Sequence, residues 1–293
     1  MQTPKPVCLK NILFTTDFSS ASEAAMPYVR AIARWYNSKI VVAHILPPEA
    51  RLGIPLDPVP KALDQSWQEA ELRMKRFVEN ESFTGVPHES VVEKGEIPDV
   101  IASLVSGHKI DLLVLGSQGR EGIRKMILGS SAELIFRTAL CPVLTIGPNA
   151  TRQPTEFTIL KRILFPTDFS SDSLQALPYA LSLAEENQAC LILLHMEPLA
   201  SLEKPPNEAQ DIVIKHLQGL VPPEATSWCS AEFVVRSEFP PEGILQAAEE
   251  RRTDLIVIGV HGVRSPWTAA HTPWEIAYDV VCRAHCPVLT IRA

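Results

Sequence analysis

No stretch of the sequence approaches the ~18 consecutive apolar residues that a membrane span requires. The start, MQTPKPVCLKN, lacks an apolar core followed by a small-residue cleavage site, so no secretory signal is visible and the expected compartment is the cytoplasm. Six cysteines in 293 residues, with no C-x-x-C pair, do not make a disulfide framework. Cys282, His285 and Cys286 supply at most three ligands, short of a closed tetrahedral site, and read as small buried groups; no metal site is expected. There is no excess of basic residues. Residues 1–150 carry 16 Lys+Arg against 16 Asp+Glu, and the rest carry 11 against 18, so the net charge of −7 falls on the second half. Such a balance argues against a nucleic-acid partner. Also absent are a G-x-x-x-x-G-K-[ST] loop, a G-x-S-x-G elbow and an H-E-x-x-H helix, which removes the commonest hydrolase readings.

What the sequence does contain is a repeat. Lys10 to Ser20, KNILFTTDFSS, returns as KRILFPTDFSS from Lys161 to Ser171, identical at nine of eleven positions. IVVAHIL around His44 returns as LILLHME around His195, and DLLVLGSQG from Asp111 returns as DLIVIGVHG from Asp254. CPVLTI occurs verbatim from Cys141 and from Cys286. The offsets are 151, 151, 143 and 145 residues, so order is kept and only loops differ. A duplication follows: residues 1–148 form one domain, 149–158 a linker, and 159–293 a second domain.

Within the first copy, continuous apolar runs at 9–14, 39–46, 86–93, 110–116 and 142–146 have the character of strands buried on both faces. Helical patterns lie between them at 20–36, 61–80, 97–107 and 129–139. Ser19 or Ser20 suits the N-cap of the first helix, with Glu23 in its first turn. Pro27, and Pro178 in the repeat, fall about two turns inside and should kink it. Strict alternation of strand and helix means an α/β fold, two tandem doubly wound domains, each a five-stranded parallel sheet flanked by helices, and 3-2-1-4-5, one of the common orders of such sheets, is the strand order expected. Ligands on such sheets bind beyond the carboxyl ends of the strands. The Pro-rich stretch 47–60 follows the second strand and is either a flap over that end or a surface loop.

After the fourth strand come Gly116, Ser117, Gln118 and Gly119, nine further residues, then Gly129, Ser130 and Ser131 at a helix start. Glycines let a phosphate approach backbone N–H groups without an intervening Cβ, and a helix start adds free donors and the positive end of a dipole. Arg120, Arg124 and Lys125 bring positive charge to the same loop. Asp17 and Asp168 can be read as helix caps, His44 and His195 as core histidines, and Trp35 and Trp67 as packing residues.

These segments together (ILFTTDFS, VVAHIL, G-x-x-G-x9-G-S and CPVLTI) resemble the universal stress protein family in its tandem two-domain form, over nearly the whole chain. In that family the glycine motif marks members that bind ATP. The resemblance implies an ATP site in the first copy, with Mg²⁺. Asp17 would contact the adenosine, Ile45 the adenine, and Gly116, Gln118, Gly119, Gly129, Ser130 and Ser131 the ribose and phosphates. Thr15 belongs to the same set but stands where the family often has Pro, and Gln118 where it often has His. No catalytic residue is implied, so any ATPase activity should be slow. The resemblance further implies pairing of the two copies through their CPVLTI strands as a pseudo-dimer, with a homodimer of chains as an option.

The second copy keeps Asp168, Gly259 and Gly262, yet no glycine occurs from Val263 to Ala293. Pro266 and Pro273 remove backbone donors from the same stretch. A phosphate cradle is not expected there; His261, Trp267, His271 and Trp274 either line a pocket for another ligand or fill a vacated one. A partner-binding module without nucleotide is the remaining alternative for the whole chain.

Overall fold

A computed structural model of the chain describes residues 7–48, 60–81, 83–117, 128–150, 160–197, 206–260 and 273–292. It divides into two compact units. One comprises Cys8–Ile146. The other holds the second copy from residue 160 on, together with Val7 and Gly147 to Ala150. Among the described residues no helix is long and apolar enough to cross a membrane.

The first unit runs β1 (Asn11–Thr15), α1 (Ser20–Tyr36), β2 (Lys39–Leu46), α2 (Pro60–Asn80), β3 (His88–Lys94), α3 (Ile97–Gly107), β4 (Leu112–Gly116), α4 (Ser130–Thr138) and β5 (Val143–Ile146). The second repeats the plan: β6 (Arg162–Pro166), α5 (Ser171–Gln175), α6 (Leu177–Asn187), β7 (Cys190–Met196), α7 (Pro206–Leu220), β8 (Ala231–Arg236), α8 (Pro240–Glu250), β9 (Leu255–Val260), α9 (Pro273–Arg283) and β10 (Val288–Arg292). Strand order is β3-β2-β1-β4-β5 in the first unit and β8-β7-β6-β9-β10 in the second, which is the expected 3-2-1-4-5 in both. The pairs within each unit are parallel. The central strands are apolar on both faces because helices cover both: Ile12, Leu13 and Phe14 are fully buried, as are Ile163, Leu164 and Phe165.

Duplication reaches the backbone. Among the described residues six non-glycine residues adopt left-handed φ, and they form three pairs at equivalent places: Phe18 and Phe169, Asn37 and Gln188, Lys109 and Arg252. Asn37 and Gln188 end α1 and α6 as left-handed C-caps, a position where Asn is among the better-tolerated side chains. The aspartates that open the two DLxVxG segments act as clips. Asp111 Oδ2 accepts from the Lys10 and Asn11 amides at 2.8 and 2.9 Å, joining the start of β4 to the start of β1. Asp254 Oδ2 does the same for Lys161 and Arg162, both at 2.9 Å.

The prolines act differently in the two copies. Pro27 lies inside a continuous α1. In the second copy the helix breaks into α5 and α6 at Ala176, just before Pro178. There the Ala176 amide turns to Ser173 O at 3.2 Å, a tightened three-residue closure that frees the chain from the clash a ring imposes on the preceding turn. The expected interruption is therefore seen in one copy only. Nor do the two tryptophans read as packing groups form core: Trp35 remains 49% exposed, and Trp67 Nε1 donates to Glu71.

Candidate functional site

In the first unit β1, β2 and β4 end side by side, with Thr15 opposite both Ala43 and Leu115 in register. This brings Thr15, Asp17, Ile45 and Gly116 to one edge of the sheet, the carboxyl end at which parallel sheets bind ligands. Thr15 and Ile45 are half-buried and Asp17 is exposed. Gln118 and Gly119, with Arg120, Arg124 and Lys125, lie outside the described residues, as does most of the Pro-rich stretch after β2.

The turn from β1 into α1 is built from short polar side chains. Phe18 takes φ 60°, and its amide donates to Thr16 Oγ1 at 2.9 Å. Asp17 Oδ1 accepts from the Ser19 amide at 3.0 Å and from the Ser22 hydroxyl at 2.8 Å. Ser19, rather than Asp17, is the N-cap of α1, in a reciprocal capping box with Ser22. The aspartate thus braces the cap instead of forming it. Partial burial pushes its pKa up, but the hydrogen bonds from Ser19 and Ser22 outweigh that, and the carboxyl is held below its ordinary value. An ionised acceptor therefore faces solvent at the end of β1. Ser22, buried beneath it, is a site-shaping residue that the motif comparison passed over, although its spacing from Ser19 is that of a capping box.

His44 fits the core reading. Its Nδ1 lies 2.8 Å from Thr16 O, and its ring lies against Phe18, centroids 4.4 Å apart. Burial, offset in part by the Thr16 carbonyl, lowers its pKa, with Arg73 adding to the effect from α2. Arg73 itself sits 4.7 Å above the Phe18 ring, a cation–π contact that helps hold the left-handed residue. His195 repeats the arrangement on Thr167 O at 2.8 Å and Phe169 at 4.7 Å.

The glycines separate into two kinds. A Cβ on Gly116 would lie 2.1 Å from Ala21 O and 2.6 Å from Ala21 C, so glycine is required there for the first turn of α1 to cross β4. Gly259 is required for the same reason, its Cβ falling 2.4 Å from Asp172 O. Gly129 is different. It is the N-cap of α4 with φ −57°, a conformation open to any residue, and a Cβ there would meet nothing within 4 Å among the described residues. Among the described residues no side chain caps the helix, and Ser130 and Ser131 follow it, both exposed. The first turn of α4 therefore presents backbone N–H groups, two hydroxyls and the positive end of the helix dipole. Glu133 in the same turn pairs with Arg137 at 3.2 Å. In the second unit the corresponding helix, α9, opens at Pro273, which has no N–H to present.

The second unit has a cleft at the matching edge, about 120 Å³ in volume. Pro166, Asp168 and Gly259 line it from the strand ends, Met196 from β7, and Pro240 and Ile244 from α8. The residues from His261 to Thr272, including three of the four side chains read as an aromatic pocket, lie outside the described set, and of Trp274 only the backbone belongs to it. Cys282 and Cys286 are buried, and among the described residues no group of three or more His, Cys, Asp or Glu side chains is placed to hold a metal.

The sequence profile of the universal stress protein family matches residues 9–147 and again 160–292. Universal stress protein MJ0531 of Methanocaldococcus jannaschii is 28% identical over 148 residues, 47% of this chain and 81% of that protein. A universal stress protein of Thermus aquaticus is 30% identical over 139 residues, 47% of this chain and 98% of its own length. In three dimensions a universal stress protein from Archaeoglobus fulgidus superposes with a TM-score of 0.71 at 20% identity, spanning 96% of this chain and 98% of that one. The last comparison speaks to the fold alone.

Proposed function

The chain belongs to the universal stress protein family, as a tandem of two such domains, and from that premise we propose that it is a stress-response regulator whose first domain binds one ATP, with Mg²⁺. The observation that carries this reading is Gly129. Packing explains Gly116, but neither backbone angle nor crowding among the described residues explains a glycine at the start of α4. An uncapped helix start without a Cβ, followed by two exposed hydroxyls, has the donor set that a polyphosphate takes up. Asp17, ionised and braced by two serines, accepts hydrogen bonds from the sugar or base. Thr15 and Ile45 supply the half-buried walls, and Gln118 and Gly119 complete the loop in this proposal. Among the described residues Asp17 alone is a thin basis for a general base, so in this reading ATP acts as a bound signal and any hydrolysis is slow.

Two further parts belong to the same reading. The two domains pair as a pseudo-dimer through their CPVLTI strands, and the protein works in the cytoplasm. Calorimetric titration of the full chain with Mg-ATP tests the main claim. One ATP per chain is expected, with binding lost in Gly129→Val and kept in Asp168→Ala. No binding, or affinity unchanged by Gly129→Val, overturns it.

A further inference from the structure

The cleft of the second unit is more than a nucleotide site with parts removed. Its surroundings differ from those of the first unit at several positions. Asp172, on the cleft wall, stands where the repeat has Ala21. It joins Asp168, whose Oδ1 accepts from the Ser170 amide at 2.9 Å and the Ser170 hydroxyl at 2.6 Å. Met196 replaces Ile45, and Pro166 replaces Thr15. Pro240 replaces Ile97 at the start of α8, so with Pro241 the first two residues of that helix lack N–H donors. Gly243 on α8 keeps space for the Met196 methyl, since a Cβ there would fall 2.2 Å from Cε.

Asp172 adds a carboxylate and Pro240 removes an N–H donor from the helix start beside the cleft, while Met196 and Pro166 keep its wall apolar. Asp168 and Asp172 border the cleft, Asp172 Oδ1 accepting from the Ser171 hydroxyl at 3.1 Å, and among the described residues no Lys or Arg lines it. Pro166, Met196, Pro240, Ile244, Ile258 and Ile276 make up the apolar part of the wall, and Ser170 on it is already bonded to Asp168. Thr167 and Ser173, also on the wall, are already bonded to one another at 3.0 Å, so they do not call for a polar ligand atom. A cavity of about 150 Å³ lined by aliphatic groups accommodates a benzene ring, and this open cleft is of similar size.

We infer that the second domain binds a small organic cation, an amine with an aromatic or short alkyl body, its body on the Met196 wall and its ammonium at Asp168 and Asp172. The cleft discriminates by charge: neutral isosteres bind more weakly and carboxylates are rejected. The assignment does not depend on nucleotide binding by the first domain.

The test uses the full chain labelled with ¹³C at the methionine methyls, the Met196 signal being identified by its loss in Met196→Leu. Benzylamine, benzyl alcohol and benzoate are titrated in turn at pH 7. Saturable movement of the Met196 signal with benzylammonium is expected, with weaker movement for the alcohol and none for benzoate. Asp172→Ala, which restores the residue of the first copy, should weaken benzylammonium about fivefold. A Met196 signal that ignores millimolar benzylammonium overturns the inference. So does one that responds equally to benzoate, or an Asp172→Ala variant of unchanged affinity.

Discussion

At the scale of single residues, the two glycines of the first domain make opposite predictions. Gly116→Ala drives a Cβ into the α1 backbone and should cost ~3 kcal/mol or more, read as a lowered urea midpoint. Gly129→Ala should leave that midpoint within about 0.5 kcal/mol while weakening ATP, because its Cβ enters open space. Asp111→Ala leaves two backbone amides at the start of β1 without their acceptor and should cost ~1–3 kcal/mol. His44 sets a pH dependence. Its pKa is lower in the fold than in the unfolded chain, so the unfolded state takes up the proton first as pH falls. Stability should therefore drop between about pH 7 and pH 5, and His44→Asn should flatten that slope in urea titrations at the two pH values. Asp17 and Asp168 act in a lower window: their stabilisation is present above the ordinary Asp pKa and is lost as pH falls through their depressed values.

Elements were legible to different degrees. Helices α1 and α3 and strand β2 begin and end where the apolar pattern and the caps put them, because Ser19, Asn37 and the Pro98 start are local signals. The strand starts slipped by two residues at β1, β3 and β4, since Leu9, Val86 and Ile110 are apolar and buried but precede the ladder. The clip function of Asp111 was not legible at all. It depends on β4 lying beside β1, a contact between residues 101 apart that no local pattern encodes. The same holds for Gly116: in sequence it looks like part of a phosphate loop, while in space α1 demands it. Asp172 also looks ordinary in sequence, and only its place on the cleft wall gives it meaning. Loss of α1–β4 packing in Gly116→Ala should appear as faster amide exchange in the first turn of α1, ahead of any change in α2.

For the whole molecule, the repeat carries the fold and the differences between copies carry the proposed division of labour. Mg-ATP at a hundredfold excess over its Kd should stabilise the first domain by about 2.7 kcal/mol, which raises its thermal midpoint by roughly 5–10 °C. The second domain should gain nothing from ATP and something from an organic cation, so the two ligands should act additively in a calorimetric scan. The aspartate clips also bear on synthesis. A ribosome extrudes β1 a hundred residues before Asp111 emerges to close it, and β6 about ninety before Asp254. Each sheet must therefore hold one side of its first-made strand unpaired through most of its own translation, and that late closure is the step at which a stalled chain is most exposed to mispairing.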